Sequence, residues 1–122
     1  MTTPATLSGT ALDYTNFVDR AVAERHVPLF AFAVNHDVNR ALNEEMDRWD
    51  ATTGIPAQLA VIDGPVLMIH GGGDPRPAPV SIAEALPRAE LVLIADAGHL
   101  PWMERLDEVA AALRRFLSAS AR

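Results

Sequence analysis

Two short runs, Val66-Leu67-Met68-Ile69 and Leu91-Val92-Leu93-Ile94, are apolar at every position, with none of the polar alternation of a strand that faces water on one side. Each is long enough for a strand and too short for a helix, and each is bounded by turn-forming residues: Asp63-Gly64-Pro65 before the first, Pro87 before the second. Between them, a helix is predicted from about Val80 to Leu86. Strand, helix and strand make one βαβ unit, which requires a parallel sheet and a right-handed crossover. A closing helix follows from about Leu106 to Ala119, with Val109, Ala112, Leu113, Phe116 and Leu117 as its buried face and Arg114, Arg115 and Arg122 toward its C-terminal end.

Residues 1–62 read differently, as helices without a strand. Ala11, Leu12, Phe17, Val18, Ala21 and Val22 recur at helical spacing, with Ser8 as N-cap and Pro28 as the stop. In the next helix, capped by Asn35 or Asp37, Val38, Leu42, Met46 and Trp49 form one stripe, so Met46 and Trp49 are expected to pack into a core. Thr53-Gly54-Ile55-Pro56 then turns the chain into a short helical segment ending near Ile62. The organisation expected is thus 1–62 helical and 63–122 a βαβα piece. Two strands that are apolar on both faces leave two open edges, so the pattern suits part of a larger doubly wound sheet.

Composition removes several chemistries. The 122 residues contain no cysteine, which excludes disulfides, thiolate metal sites and a thiol nucleophile. All ten cations are arginines, so neither a Schiff-base lysine nor a phosphate-loop lysine exists. The net charge of −6 argues against a nucleic-acid partner. No apolar run reaches the roughly 18 residues needed to span a membrane, and the opening MTTPATLSGT is unlike a signal peptide, so a cytoplasmic location is expected.

The residues left for chemistry lie just past the two strands. Asp74 follows the first and His99 the second, and neighbouring parallel strands bring both loops to the edge where open α/β sheets bind ligands. A carboxylate there would set the tautomer of the imidazole and leave its other nitrogen as a general base. The alternative is that Asp74 tightens a turn before Pro75 and His99 is an ordinary loop histidine. Gly71 to Gly73 allow a tight strand exit, and Gly98 permits a bend or positive φ before His99. His70 and Asp74 offer only two metal ligands, so no metal is expected, and the glycine run lacks the pattern of a phosphate cradle. Arg76 is read as solvated rather than bound to a substrate carboxylate, Trp102 as an anchor for the last helix, and His26 and His36 as solvated or capping residues.

His70-Gly71-x-x-Asp74-Pro75 after one strand and Ala97-Gly98-His99-Leu100-Pro101-Trp102-x-Glu104 after the next resemble the C-terminal part of an α/β-hydrolase, nearest the proline-iminopeptidase-like and esterase-like branch. The resemblance covers residues 63 to 117 and implies a partial α/β-hydrolase fold, with residues 1–62 similar to the end of a helical cap. It implies the acid of a Ser–Asp–His triad at Asp74, the base at His99, no cofactor, and an ester, amide or short peptide as substrate. The family carries its serine earlier, on a G-x-S-x-G elbow, and none of Ser8, Ser81, Ser118 or Ser120 has that context. One expectation is therefore a hydrolase half-site that is inert alone and completed by an N-terminal segment or partner chain bearing the serine. The other is a non-catalytic interaction module, derived from a truncated hydrolase, whose open strand edge pairs with another chain or with a second copy.

Overall fold

The computed structural model describes residues 13–30, 35–52 and 55–120. Ser8, Ala11, Leu12, Thr53, Gly54 and Arg122, singled out above, lie outside them. The chain divides into two compact units: Met1–Ala31, Leu67–Ala78 and Leu91–Arg122 make one, and Phe32–Val66 with Pro79–Glu90 the other.

Strand β1 spans Val66–Gly71 and β2 spans Ala89–Ile94, paired in a two-stranded sheet. The Val66 N–H donates to the Arg88 carbonyl at 3.0 Å and the Gly72 N–H to the Ile94 carbonyl at 2.8 Å, a constant register that identifies the pair as parallel. The α/β class and the βαβ order expected from the two apolar runs are therefore present. Full burial on both faces is not: most strand residues are half-buried and Leu93 is 57% exposed, because among the described residues only two strands share the sheet.

In the first unit, residues 13–15 are helical and the chain then breaks at Asn16–Val18 before helix α1, Arg20–His26. The continuous helix expected here is corrected: Asp19, extended in backbone, caps α1 by accepting from the N–H groups of Ala21 (2.8 Å) and Val22 (3.3 Å). A 3₁₀ turn at Val27–Phe30, containing Pro28, ends it. Phe17, Val22, Ala23 and Val27 form a buried cluster joined by Tyr14, Leu100 and Met103, and His26 stacks on the Phe17 ring with centroids 6.5 Å apart. A second cluster unites Ile94, Ala97 and Val109 with Ile69 and Val92.

In the second unit, α2 spans His36–Thr52, with the Asn35 side chain accepting from Asp37 N–H and Val38 N–H, both at 3.1 Å. Its apolar stripe is not in a core: Val38, Leu42, Met46 and Trp49 are each at least half exposed. The pattern is amphipathic as read, but among the described residues its apolar side chains remain largely exposed. Helix α3, Ile55–Leu59, and α4, Val80–Ala85, pack on each other, and the buried Leu86 closes α4.

Returning to the first unit, a short helix α5, Pro101–Glu104, precedes α6, Leu106–Ser120. Only Val109 and Ala112 of the predicted face are buried; Leu113 and Leu117 are exposed, and Arg114 and Arg115 fall short of the last turn. Trp102 is 51% exposed, which corrects its reading as an anchor. Among the described residues, no helix is long and apolar enough to cross a membrane.

Candidate active site

The loop leaving β1 and the loop leaving β2 meet within the first unit. His99 Nδ1 lies 2.8 Å from Asp74 Oδ2, and the Asp74 side chain is 3% exposed. Asp74 also tightens the turn through Pro75, since its other oxygen, Oδ1, accepts the Arg76 N–H at 2.9 Å. Burial pushes the Asp74 carboxyl up. The Arg76 N–H, the His99 hydrogen bond, and the His99 and His70 imidazoles outweigh that and hold it below the ordinary carboxylate value. An ionised carboxylate only accepts, so Nδ1 carries the proton and donates it. Nε2 of His99, the nitrogen not engaged with Asp74, belongs to a side chain that is 40% exposed.

His70, at the end of β1, donates from Nε2 to the Arg76 carbonyl at 3.2 Å and stands 3.8 Å from Asp74 Oδ2. It props the acid-bearing turn. Among the described residues, no three His, Asp or Glu side chains gather as a metal site. Arg76, read as solvated, is 58% exposed yet engaged: Nη1 donates to Asn16 Oδ1 at 3.0 Å and lies 3.6 Å from Asp74 Oδ1.

Sequence reasoning missed two residues here. Asn16 receives both loops, its side-chain oxygen accepting from Arg76 and its backbone carbonyl accepting the His99 N–H at 2.7 Å. Glu104, quoted above only as part of a motif, is 8% exposed and satisfies its carboxylate with backbone donors. Oε1 accepts from Val18 N–H (2.8 Å) and Asp19 N–H (2.7 Å), and Oε2 accepts from Gly98 N–H at 2.6 Å. The break before α1 has its reason here: the donors at 18 and 19 and the acceptor at 16 serve the His99 loop instead of a helix. Nothing in the sequence marks Glu104 as buried; the structure shows why it needs these partners, since a buried carboxylate is stable only when its oxygens are hydrogen-bonded.

Two glycines are required by space. A Cβ on Gly71 would lie 1.9 Å from the Gly98 carbonyl oxygen, and one on Gly98 would lie 2.1 Å from that of Asn16. The backbone at Gly98 does not take the positive φ considered above; close approach is what demands glycine there.

A family model described as "Alpha/beta hydrolase family" matches residues 2–112. Among curated proteins, the pimeloyl-[acyl-carrier protein] methyl ester esterase of Stenotrophomonas maltophilia (strain K279a) is 37% identical over 83 residues. That alignment takes in 66% of this chain and 32% of the esterase, so the chain spans about a third of the relative's length. No solved structure matches significantly.

Proposed function

Because the chain belongs to the alpha/beta hydrolase family, we propose that Asp74 and His99 are the acid and base of a Ser–Asp–His triad that hydrolyses a carboxylic ester, the runner-up bonds being an amide or an N-terminal peptide bond. The observation that carries this is the 2.8 Å contact between a buried Asp74 and His99 Nδ1, on a His99 side chain that is 40% exposed. Similarity to a methyl ester esterase favours the ester.

In this reading Asp74 holds the Nδ1–H tautomer and stabilises the imidazolium that forms, while His99 Nε2 takes the proton of a serine hydroxyl as that oxygen attacks the substrate carbonyl. The same Nε2 then gives its proton to the leaving alkoxide. Water, deprotonated by His99 in turn, releases the acid from the acyl-serine. No serine of this chain stands on a G-x-S-x-G elbow, so the nucleophile comes from a segment or partner chain outside these 122 residues. The isolated chain is inert, and the working assembly is cytoplasmic and cofactor-free.

The test is to read the DNA flanking the coding region for a frame encoding parallel strands and such an elbow, to co-express it with this chain, and to assay p-nitrophenyl ester hydrolysis. Activity that requires both chains and vanishes in Asp74→Asn and His99→Ala supports the proposal. Activity that survives both substitutions sinks it.

A second reading, an interaction module, is favoured by the two sheet edges that no described residue pairs with and by the exposed Val38, Leu42 and Met46. It expects a homodimer or a complex with the complementing segment; a monodisperse monomer in sedimentation that binds no apolar dye counts against it.

A further inference from the structure

We propose that Glu104 is a positioning residue for His99, a role that rests on reading Asp74 and His99 as acid and base. Its carboxylate never touches the imidazole. It instead clips the backbone directly ahead of it, with Oε2 on the Gly98 N–H at 2.6 Å and Oε1 on the N–H groups of Val18 and Asp19 at 2.8 and 2.7 Å. The Asn16 carbonyl, two residues before Val18, accepts the His99 N–H at 2.7 Å, so His99 is gripped at its own amide by Asn16 and at the preceding one by Glu104, which is itself tied to Val18 and Asp19. That fixes the backbone from which the ring reaches Asp74.

A carboxylate is needed for this, because both of its oxygens accept. In Glu104→Gln one end becomes an NH₂ donor. The orientation with the fewest conflicts keeps the oxygen on Val18 and Asp19 and points the NH₂ at the Gly98 N–H, donor against donor. The substitution therefore spares the anchor to α1 and releases the His99 loop selectively, which separates positioning from simple structural support.

The experiment is NMR on the full isotope-labelled chain at a temperature where circular dichroism shows each variant folded. Wild type is expected to show a far-downfield His99 Nδ1–H proton, held by Asp74. Leu86→Ala, which removes a buried side chain from the other unit, is expected to lower the melting temperature and keep that signal. Glu104→Gln is expected to lose it by exchange with water, and to raise Gly98 amide exchange about tenfold or more while Val18 and Asp19 stay protected. Retention of the downfield proton and of Gly98 protection in Glu104→Gln overturns the proposal. Should that variant not fold, native-state hydrogen exchange on wild type decides: Gly98, Val18 and Asp19 amides opening together, at one free energy, support the clip, and a fast Gly98 beside protected Val18 and Asp19 refutes it. Neither readout needs turnover, so an inert co-expressed assembly defeats the hydrolytic reading without touching this result.

Discussion

Gly71→Ala adds one carbon at the end of β1, and the structure says how badly it fits. The new Cβ would sit 1.9 Å from the Gly98 carbonyl oxygen and 2.5 Å from that of Ala97, both inside the 3.0 Å that non-bonded atoms tolerate. Both neighbours are backbone, so no side-chain rotation relieves the clash. The 97–98 segment has to retreat, and it carries the Gly98 N–H that feeds the Glu104 carboxylate and the His99 N–H that feeds Asn16. Overpacking of this kind costs about 1–3 kcal/mol, and losing a buried hydrogen bond to a charged acceptor costs about 1.5–3 kcal/mol more. The expected loss is about 4 kcal/mol, a large share of the roughly 5–15 kcal/mol typical of a whole domain. At a urea slope of about 1.5 kcal/mol/M, that moves the unfolding midpoint down by about 2–3 M. Gly64→Ala, with nothing within 4 Å of its Cβ, is the matched control and should change little. A loss below about 1 kcal/mol in Gly71→Ala, with an unchanged slope and the His99 Nδ1–H signal intact, would show that the two loops are not seated as described.

In the co-expressed assembly, Asp74→Asn is expected to cut kcat by about 10⁴-fold by presenting the wrong His99 tautomer, with KM nearly unchanged; ester-hydrolysis kinetics check it. Asp74 is held below its ordinary pKa when folded, so its stabilising contribution is complete above the unfolded carboxylate value near 3.9 and is lost as pH falls through the lower folded value. The difference in urea midpoint between wild type and Asp74→Asn should therefore shrink as pH falls below about 4. Leu42→Gln, on a side chain 60% exposed, should change the isolated chain's stability by less than about 0.5 kcal/mol in the same melts, and should weaken association if the interaction reading holds.

Much of the site's framework was legible because it follows from short-range rules. Two runs without polar alternation, separated by one helix's worth of residues, force parallel strands, and parallel strands force the loops bearing Asp74 and His99 to one edge. The hydrogen-bond pattern agrees with each step. The residues that hold those loops in place were not legible, since their partners are remote: nothing near Glu104 in sequence announces that it caps Val18 and Asp19, and nothing near Asn16 announces Arg76 or His99. The break at 16–18 escaped periodicity for the same reason, because long-range partners outbid the local helix for its backbone groups. The stripe of α2 failed in the opposite way. Periodicity correctly reports which face is apolar but carries no information about what lies against it.

The contacts of Asp74 with His99, of Arg76 with Asn16 and of Glu104 with Val18 bridge 25, 60 and 86 positions of chain, whereas α1 and α6 are closed by neighbours within a turn or two. Loops of that length must be shut before their contacts return anything, and topology of this sort sets folding speed. The helices can thus form on their own timescale, while the pairing of Asp74 with His99 waits for the most distant closures in the unit. Weakening the Glu104 clip is then expected to hasten unfolding more than it slows folding, so the Asp74–His99 pairing has a lifetime of its own, set by how rarely those remote contacts open.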